Sequence, residues 1–274
     1  NNDTIAPLDI GWKAVASSIS DLISSGCDKI IGVNIGLVIP PKTDWLWIKD
    51  LYTGINQALE HFGGIILGGD CSKGKEKVIS MTVIGTQGEI KMRRNACKPN
   101  EIILTTGIHG LSKLGLMIKS KHIFDNNIYL TKKLIDKSIQ QFCKPKLKPK
   151  FMEQIIITRP NKSLKTIGCT DSSDGLFQAV LDLSIESNCK AIIDYKKLPK
   201  HKNWPQGTEW DKYYFFGGED YELVFSLPRK WATKLLRIDK TIKEIGYFLK
   251  GDASISFENC SNKTFLKNKP FSHF

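Results

Sequence analysis

No C-x-x-C pair and no histidine at zinc-finger spacing occurs in this chain of 274 residues. Its seven cysteines (Cys27, Cys71, Cys97, Cys143, Cys169, Cys189 and Cys260) stand singly and form an odd set. That argues against a disulfide framework and a structural zinc, and for a reducing cytoplasm. No apolar run approaches the roughly 18 residues that a membrane-spanning helix needs. The longest, Ile30 to Pro40, contains Asn34 and reads as a buried strand with its flanks. No secretory signal is visible at the start. The five histidines include no H-x-x-x-H pair. Ser/His/Asp catalysis lacks its nucleophile elbow.

What is present is a Lys-rich, soluble composition, with 41% hydrophobic and 25% charged residues and a formal net charge of +12. The positive charge is spread along the chain. Its densest stretch, Lys144 to Lys150, contains no aromatic residue, so it reads as a solvated face rather than a nucleic-acid stripe. Neither nucleic acid nor membrane is expected as a partner. The length suits one large domain or two ordinary ones.

Helical spacing recurs at Trp12, Val15, Ala16, Ile19, Leu22 and Ile23, and stops at Gly26. A second amphipathic helix runs from Trp47 to Phe62 and ends at Gly63-Gly64. Strands are predicted over Ile30–Ile39, Ile65–Leu67 and Val78–Ile84, then Ile102–Thr106, Ile155–Ile157, Ala191–Asp194 and Tyr221–Phe225. Helices are predicted over Leu111–Ile118, Lys132–Phe142, Leu176–Ile185 and Trp231–Leu236, with Ile242–Ile245 extended. The irregular alternation predicts an α+β organisation in two subdomains.

Acidic residues recur beside glycines or at helix starts: Asp21, Asp70, Asp171, Asp174, Glu219 and Asp220. A carboxylate beside Gly-Gly can approach a ligand closely, because no side chain intervenes. Several such groups converging would make the hard-oxygen site that magnesium prefers, completed by water and substrate phosphates. Singly, each could equally cap a helix or close a turn. The segment Gly69 to Glu76 nearly fits a phosphate loop. However, Glu76 replaces the required hydroxyl, and a strand is predicted where that loop needs a helix, so a phosphate-loop fold is rejected.

Taken together, the motifs resemble the thiamine-monophosphate kinase family of the AIR-synthase-like superfamily. Trp12-Lys-Ala-Val and Ser18-Ile-Ser-Asp-Leu-Ile-Ser-Ser-Gly26 resemble the family's K-A-x-x-x-N-L-S-D-L-A-A-M-G. Leu67-Gly-Gly-Asp-Cys-Ser-Lys-Gly74 resembles G-G-D-T-T-x-G, and Arg94-Asn-Ala-Cys-Lys-Pro99 resembles R-S-G-A-K-P-G-D. Thr106-Gly-Ile-His-Gly-Leu-Ser-Lys-Leu-Gly115 resembles T-G-x-x-G-D-S-A-A-G. Thr170-Asp-Ser-Ser-Asp-Gly-Leu176 resembles I-D-x-S-D-G-L, and Gly217-Gly-Glu-Asp-Tyr-Glu-Leu223 resembles S-G-G-E-D-Y-E-L. The closing Phe271-Ser-His-Phe274 resembles Y-D-H-F.

The resemblance implies a two-subdomain AIR-synthase-like α+β fold. An N-terminal domain over residues 1–95 would pair its sheet across a homodimer into a barrel-like core, and residues 96–274 would form a C-terminal α/β sandwich. It further implies a cytoplasmic kinase that uses ATP and Mg²⁺ to convert thiamine monophosphate to the diphosphate. Asp21, Asp70, Asp171 and Asp174 would bind Mg²⁺; Arg94, Ser173, Gly107 and Gly110 would contact ATP; Glu219 and Phe271 would hold thiamine monophosphate. The family's G-D-D and S-T-D motifs and a substrate-binding His precede the region matched here, so further ligands are expected upstream of the sequence. The departures are Cys71 where Thr is usual, Ser18 for Asn, Leu111 for Asp, and Ala179 where a supporting Asp is frequent. Two alternatives remain open: another ATP-dependent enzyme of the superfamily, making an aminoimidazole, a selenophosphate or a modified thiocarboxamide; or a non-catalytic fragment or nucleic-acid-binding protein driven by the +12 charge.

Overall fold

The computed structural model describes residues 5–122, 124, 128–261 and 264. Helix α1 (Pro7–Ser24) starts on a proline, whose fixed φ suits the first turn of a helix and whose missing N–H costs nothing there. It buries Val15, Ala16, Ile19 and Ile23 on one face. Helix α2 (Trp45–Phe62) is capped by the Asp44 side chain, which accepts from the Leu46 N–H, and it ends at Gly63 with φ +100°. The two helices cross at very short range. A Cβ on Gly11 would lie 2.1 Å from the Leu51 carbonyl oxygen, and one on Gly54 would lie 1.8 Å from that of Leu8. Any side chain at either position would force the helices apart.

These helices cover one face of a three-stranded sheet. Its centre is β1 (Cys27–Ile39), parallel to β2 (Ile65–Lys73) and antiparallel to β3 (Val78–Gln87). Val33, Ile35 and Leu37 of β1 are buried, whereas β2 and β3 are largely exposed.

A seven-stranded mixed sheet forms the rest. Its strands are β4 (Lys91–Arg93), β5 (Ile102–Thr105), β6 (Thr166–Asp171), β7 (Cys189–Asp194), β8 (Leu223–Leu227), β9 (Lys243–Lys250) and β10 (Ser254–Glu258). They lie in the order β10-β7-β9-β5-β8-β6-β4. Between them run α3 (Leu111–Lys119), α4 (Lys132–Cys143), α5 (Phe151–Thr158), α6 (Leu176–Glu186), α7 (Thr208–Phe216) and α8 (Arg229–Ile238). The expected mixed α+β architecture is therefore present. The 95/96 division falls in the short turn Arg94–Ala96, and β4, just before it, pairs in parallel with β6. One apolar core joins α1, α2 and β1 to Phe151, Phe225 and Trp231 of the second part.

One predicted strand is a helix. Ile155–Ile157 lies within α5, where Phe151, Met152, Ile155 and Thr158 are buried and Ile157 is 77% exposed. The β-branched run favours a strand locally. Buried positions at helical spacing, with the Trp231 indole donating to the Ile155 carbonyl, override that preference. In the other direction, β2 continues through Gly68, Gly69 and Asp70, which the sequence places at its end.

Candidate active site

The site begins with a strand register. β6 and β8 are antiparallel neighbours, with Asp171 opposite Leu223. The segments that leave β6 and enter β8, Asp171–Gly175 and Gly217–Glu222, therefore run side by side. The Ser172 N–H donates to the Glu222 carbonyl, the Glu222 N–H to Ser172 Oγ, and the Glu219 N–H to the Ser173 carbonyl. A Cβ on Gly218 would lie 2.3 Å from the Ser173 carbonyl oxygen, so this clasp needs a glycine there. Helix α1 packs across the same end of the sheet, and Ser20 Oγ donates to Asp171 Oδ2 at 2.6 Å.

Together these segments enclose a cavity of about 610 Å³. Its carboxylates are Asp21, Asp171, Asp174 and Glu219; Ser17, Ser18 and Ser173 add hydroxyls, and Leu116, Phe216 and Tyr221 add apolar walls. Asp171 is buried, its oxygens held by Ser20 and Ser173. The Asp21 carboxyl is pushed up, first by desolvation and then by the Asp171 charge, with Arg94 opposing. Glu219 has φ +65° and accepts from Lys13 Nζ at 2.8 Å.

This donor set suits a divalent cation: the oxygens are hard, and the Asp21 and Asp171 carboxylates repel each other. Among the described residues, no three His, Cys, Asp or Glu side chains close on a single point. A bound ion would therefore take one or two carboxylates, with water and substrate phosphates completing its shell, as magnesium commonly does.

Of the sequence-predicted residues, Asp21, Asp171, Ser173, Asp174 and Glu219 meet in this cavity. Asp70 does not line it. Asp70 is exposed on β2, opposite Gly36, and accepts from Ser72 Oγ. Arg94 sits just behind, its Nε donating to Thr170 Oγ1 at 3.2 Å and its Nη1 lying 3.7 Å from Asp182. Gly107 and Gly110 shape the turn into α3. Gly107 leaves room for the Glu222 carboxylate, and Gly110 adopts φ +84° with its N–H donating to Asp220. Phe271 lies outside the described residues. Sequence reading assigned no role to Lys13, Lys113, Phe216 or Tyr221. Lys13 and Lys113 lie inside motifs already singled out, but nothing in the spacing aims either at the cavity.

A three-stranded sheet backed by two helices, followed by a larger mixed sheet with an acidic cavity at its strand ends, defines an AIR-synthase-like protein. The family of AIR synthase related proteins, N-terminal domain, matches residues 2–87. Thiamine-monophosphate kinase of Prochlorococcus marinus is 39% identical over 271 residues, covering 99% of this chain and 81% of that protein. The solved thiamine monophosphate kinase from Aquifex aeolicus superposes with TM-score 0.77 at 24% identity, covering 92% of this chain and 81% of that one. AaThiL complexed with AMPPCP and TMP gives TM-score 0.78 at 23% identity, with coverage of 98% and 81%. At these identities the two structures speak for the fold alone; the Prochlorococcus relative carries the assignment. The chain belongs to the thiamine-monophosphate kinase family.

Proposed function

We propose that this chain transfers the γ-phosphoryl group of ATP to the phosphate of thiamine monophosphate, giving thiamine diphosphate by direct in-line attack. The observation that carries this reading is the convergence of Asp21, Asp171, Asp174, Ser173 and Glu219 on one cavity. Two phosphate-bearing molecules repel each other, and Mg²⁺ would supply the charge that lets them meet. Asp21, Asp171 and Asp174 would hold it. Asp70 is proposed as a further ligand outside this cavity's lining, its carboxylate oriented by Ser72.

The acceptor phosphate is largely ionised near neutral pH, so no strong general base is needed. The residues position and neutralise. Ser20 and Ser173 fix the Asp171 carboxylate. Arg94 and Ser173 are assigned to ATP, and Gly107 and Gly110 hold the turn beside it. Glu219 would accept an N–H from, or complement the charge of, a thiamine ring held between Phe216 and Tyr221. Phe271 completes that substrate contact in the proposal.

A homodimer is part of the reading. β2 and β3 leave Ile65, Leu67, Val78 and Ile84 exposed on one sheet, a surface that a second copy would cover. Sedimentation showing only monomer at micromolar concentration would remove it. Seven free cysteines support a cytoplasmic setting. No helix among the described residues is long and apolar enough to cross a membrane.

The test is chromatographic detection of thiamine diphosphate from ATP and thiamine monophosphate, with and without Mg²⁺. Absence of that product with Mg²⁺ present overturns the assignment.

A further inference from the structure

Among the described residues that line the acidic cavity, Lys113 is the one cation. It lies in the first turn of α3 and is half-buried. Among the described residues it forms no ion pair and no side-chain hydrogen bond, whereas Lys13, nearby in the same site, is engaged by Glu219. A half-buried ammonium with no direct ion pair or hydrogen bond of its own keeps its donors free for an anion that enters the cavity.

The surrounding structure fixes where this ammonium stem runs. The Lys113 side chain passes over Gly217, where an added Cβ would meet Lys113 Cβ at 2.7 Å. Helix α3 itself is held on two sides. The buried Asp220 carboxylate accepts the N–H groups of Gly110 and Ser112, at 2.5 and 2.8 Å. Gly115 packs against α4, where an added Cβ would lie 2.1 Å from the Ser138 carbonyl oxygen. Asp220 also occupies the start of α3, so those backbone donors are closed to an outside anion. The positive side chain that this helix presents to the cavity is that of Lys113.

We propose that Lys113 is a phosphate-contacting residue of this cavity, donating from Nζ to an anionic oxygen of a phosphate-bearing ligand. The inference deepens the function proposed above and rests on it for the identity of the ligand. The phosphate could belong to the nucleotide or to the acceptor, and the two make different predictions. Contact with the nucleotide raises the KM for ATP in the variant and leaves that for thiamine monophosphate; contact with the acceptor does the reverse.

The experiment compares wild type with Lys113→Met, which keeps the stem and removes the charge, and with Lys113→Arg. KM is measured for each substrate, and equilibrium binding is measured for inorganic tripolyphosphate. Thermal melting confirms that each variant is folded. The expected result is a rise in one KM of about tenfold to a hundredfold in Lys113→Met, the range for losing a charge-assisted hydrogen bond. Tripolyphosphate binding weakens in parallel, and Lys113→Arg recovers most of the loss. Wild-type values of both KM and tripolyphosphate affinity in Lys113→Met overturn the proposal. Should the wild type fail to phosphorylate thiamine monophosphate, yet lose tripolyphosphate binding on Lys113→Met, the phosphate contact stands and the substrate assignment falls.

Discussion

Ser20 on α1 donates to Asp171 at the end of β6, a 2.6 Å buried hydrogen bond between residues 151 apart in the chain. It couples the first helix to the strand end that carries the acidic motif. Ser173 holds the other Asp171 oxygen, at 3.1 Å, so the carboxylate plane is set by two hydroxyls. Replacing Ser20 by Ala removes one of them and leaves a buried acceptor short of a partner. We expect a stability loss of about 1–3 kcal/mol in urea unfolding, with a higher Mg²⁺ concentration needed for half-maximal activity. Unchanged Mg²⁺ dependence would separate Ser20 from the site.

Asp174 tests the cation reading directly. Asp174→Asn keeps the shape and removes the charge. The expected outcome is a fall in kcat on the order of 10²-fold or more, the scale of several kcal/mol of charge stabilisation. The melting temperature should stay close to wild type. Wild-type turnover would refute the assignment.

Glu219 and Lys13 form an ion pair at 2.8 Å, with the Glu219 side chain 47% exposed. The Lys13 side chain is only 13% exposed, so the pair is open to solvent on its carboxylate side alone. Glu219→Gln keeps an acceptor for Lys13 but removes its counter-charge, and should lower stability by about 1 kcal/mol. If the carboxylate faces the thiamine ring, the KM for thiamine monophosphate rises about tenfold while that for ATP holds. Equal changes in both would point to a general disturbance of the cavity instead.

His109 gives a pH-dependent expectation for stability. It is fully buried beside Tyr214, accepts or donates at Thr105 Oγ1, and has its pKa pushed down to about 3 by burial. The unfolded chain takes up a proton near the ordinary histidine value, and the native state does not. Between those two values the unfolded form binds more protons, so stability falls as pH falls, by about 1.4 kcal/mol per pH unit for this group. His109→Gln, compared with wild type by urea unfolding at pH 7.5 and pH 5, should lose less stability on acidification. Parallel losses would show that other groups set the acid limit.

Much of the fold is readable along the chain, where one helix face or one alternating strand is buried. The Trp12–Ile23 periodicity and the Gly63-Gly64 stop mark α1 and α2, and the β-branched run from Val78 marks β3. The failures have physical causes. Ile155–Ile157 carries a strand preference, but its environment buries one helical face. Tyr221 reads as the start of a strand but has φ +53°, so β8 begins two residues later, at Leu223. Helix α7 carries apolar and aromatic residues with little one-sided periodicity, because Trp210, Tyr214 and Phe215 are buried together with Asp211.

The sequence alone determined the acidic and glycine-rich motifs, their order, and through them the family and the carboxylates worth testing. Those are local patterns of residue type, and local pattern is what a linear chain displays. The tertiary structure decided which of those carboxylates meet. The β6–β8 register and the packing of α1 bring Asp21 to Asp171 and Asp174, while the continuation of β2 leaves Asp70 on an exposed sheet. It also decided that Lys113, unremarkable in its motif, faces an acidic cavity with no partner among the described residues. Convergence of this kind depends on long-range packing, which no spacing within one segment encodes.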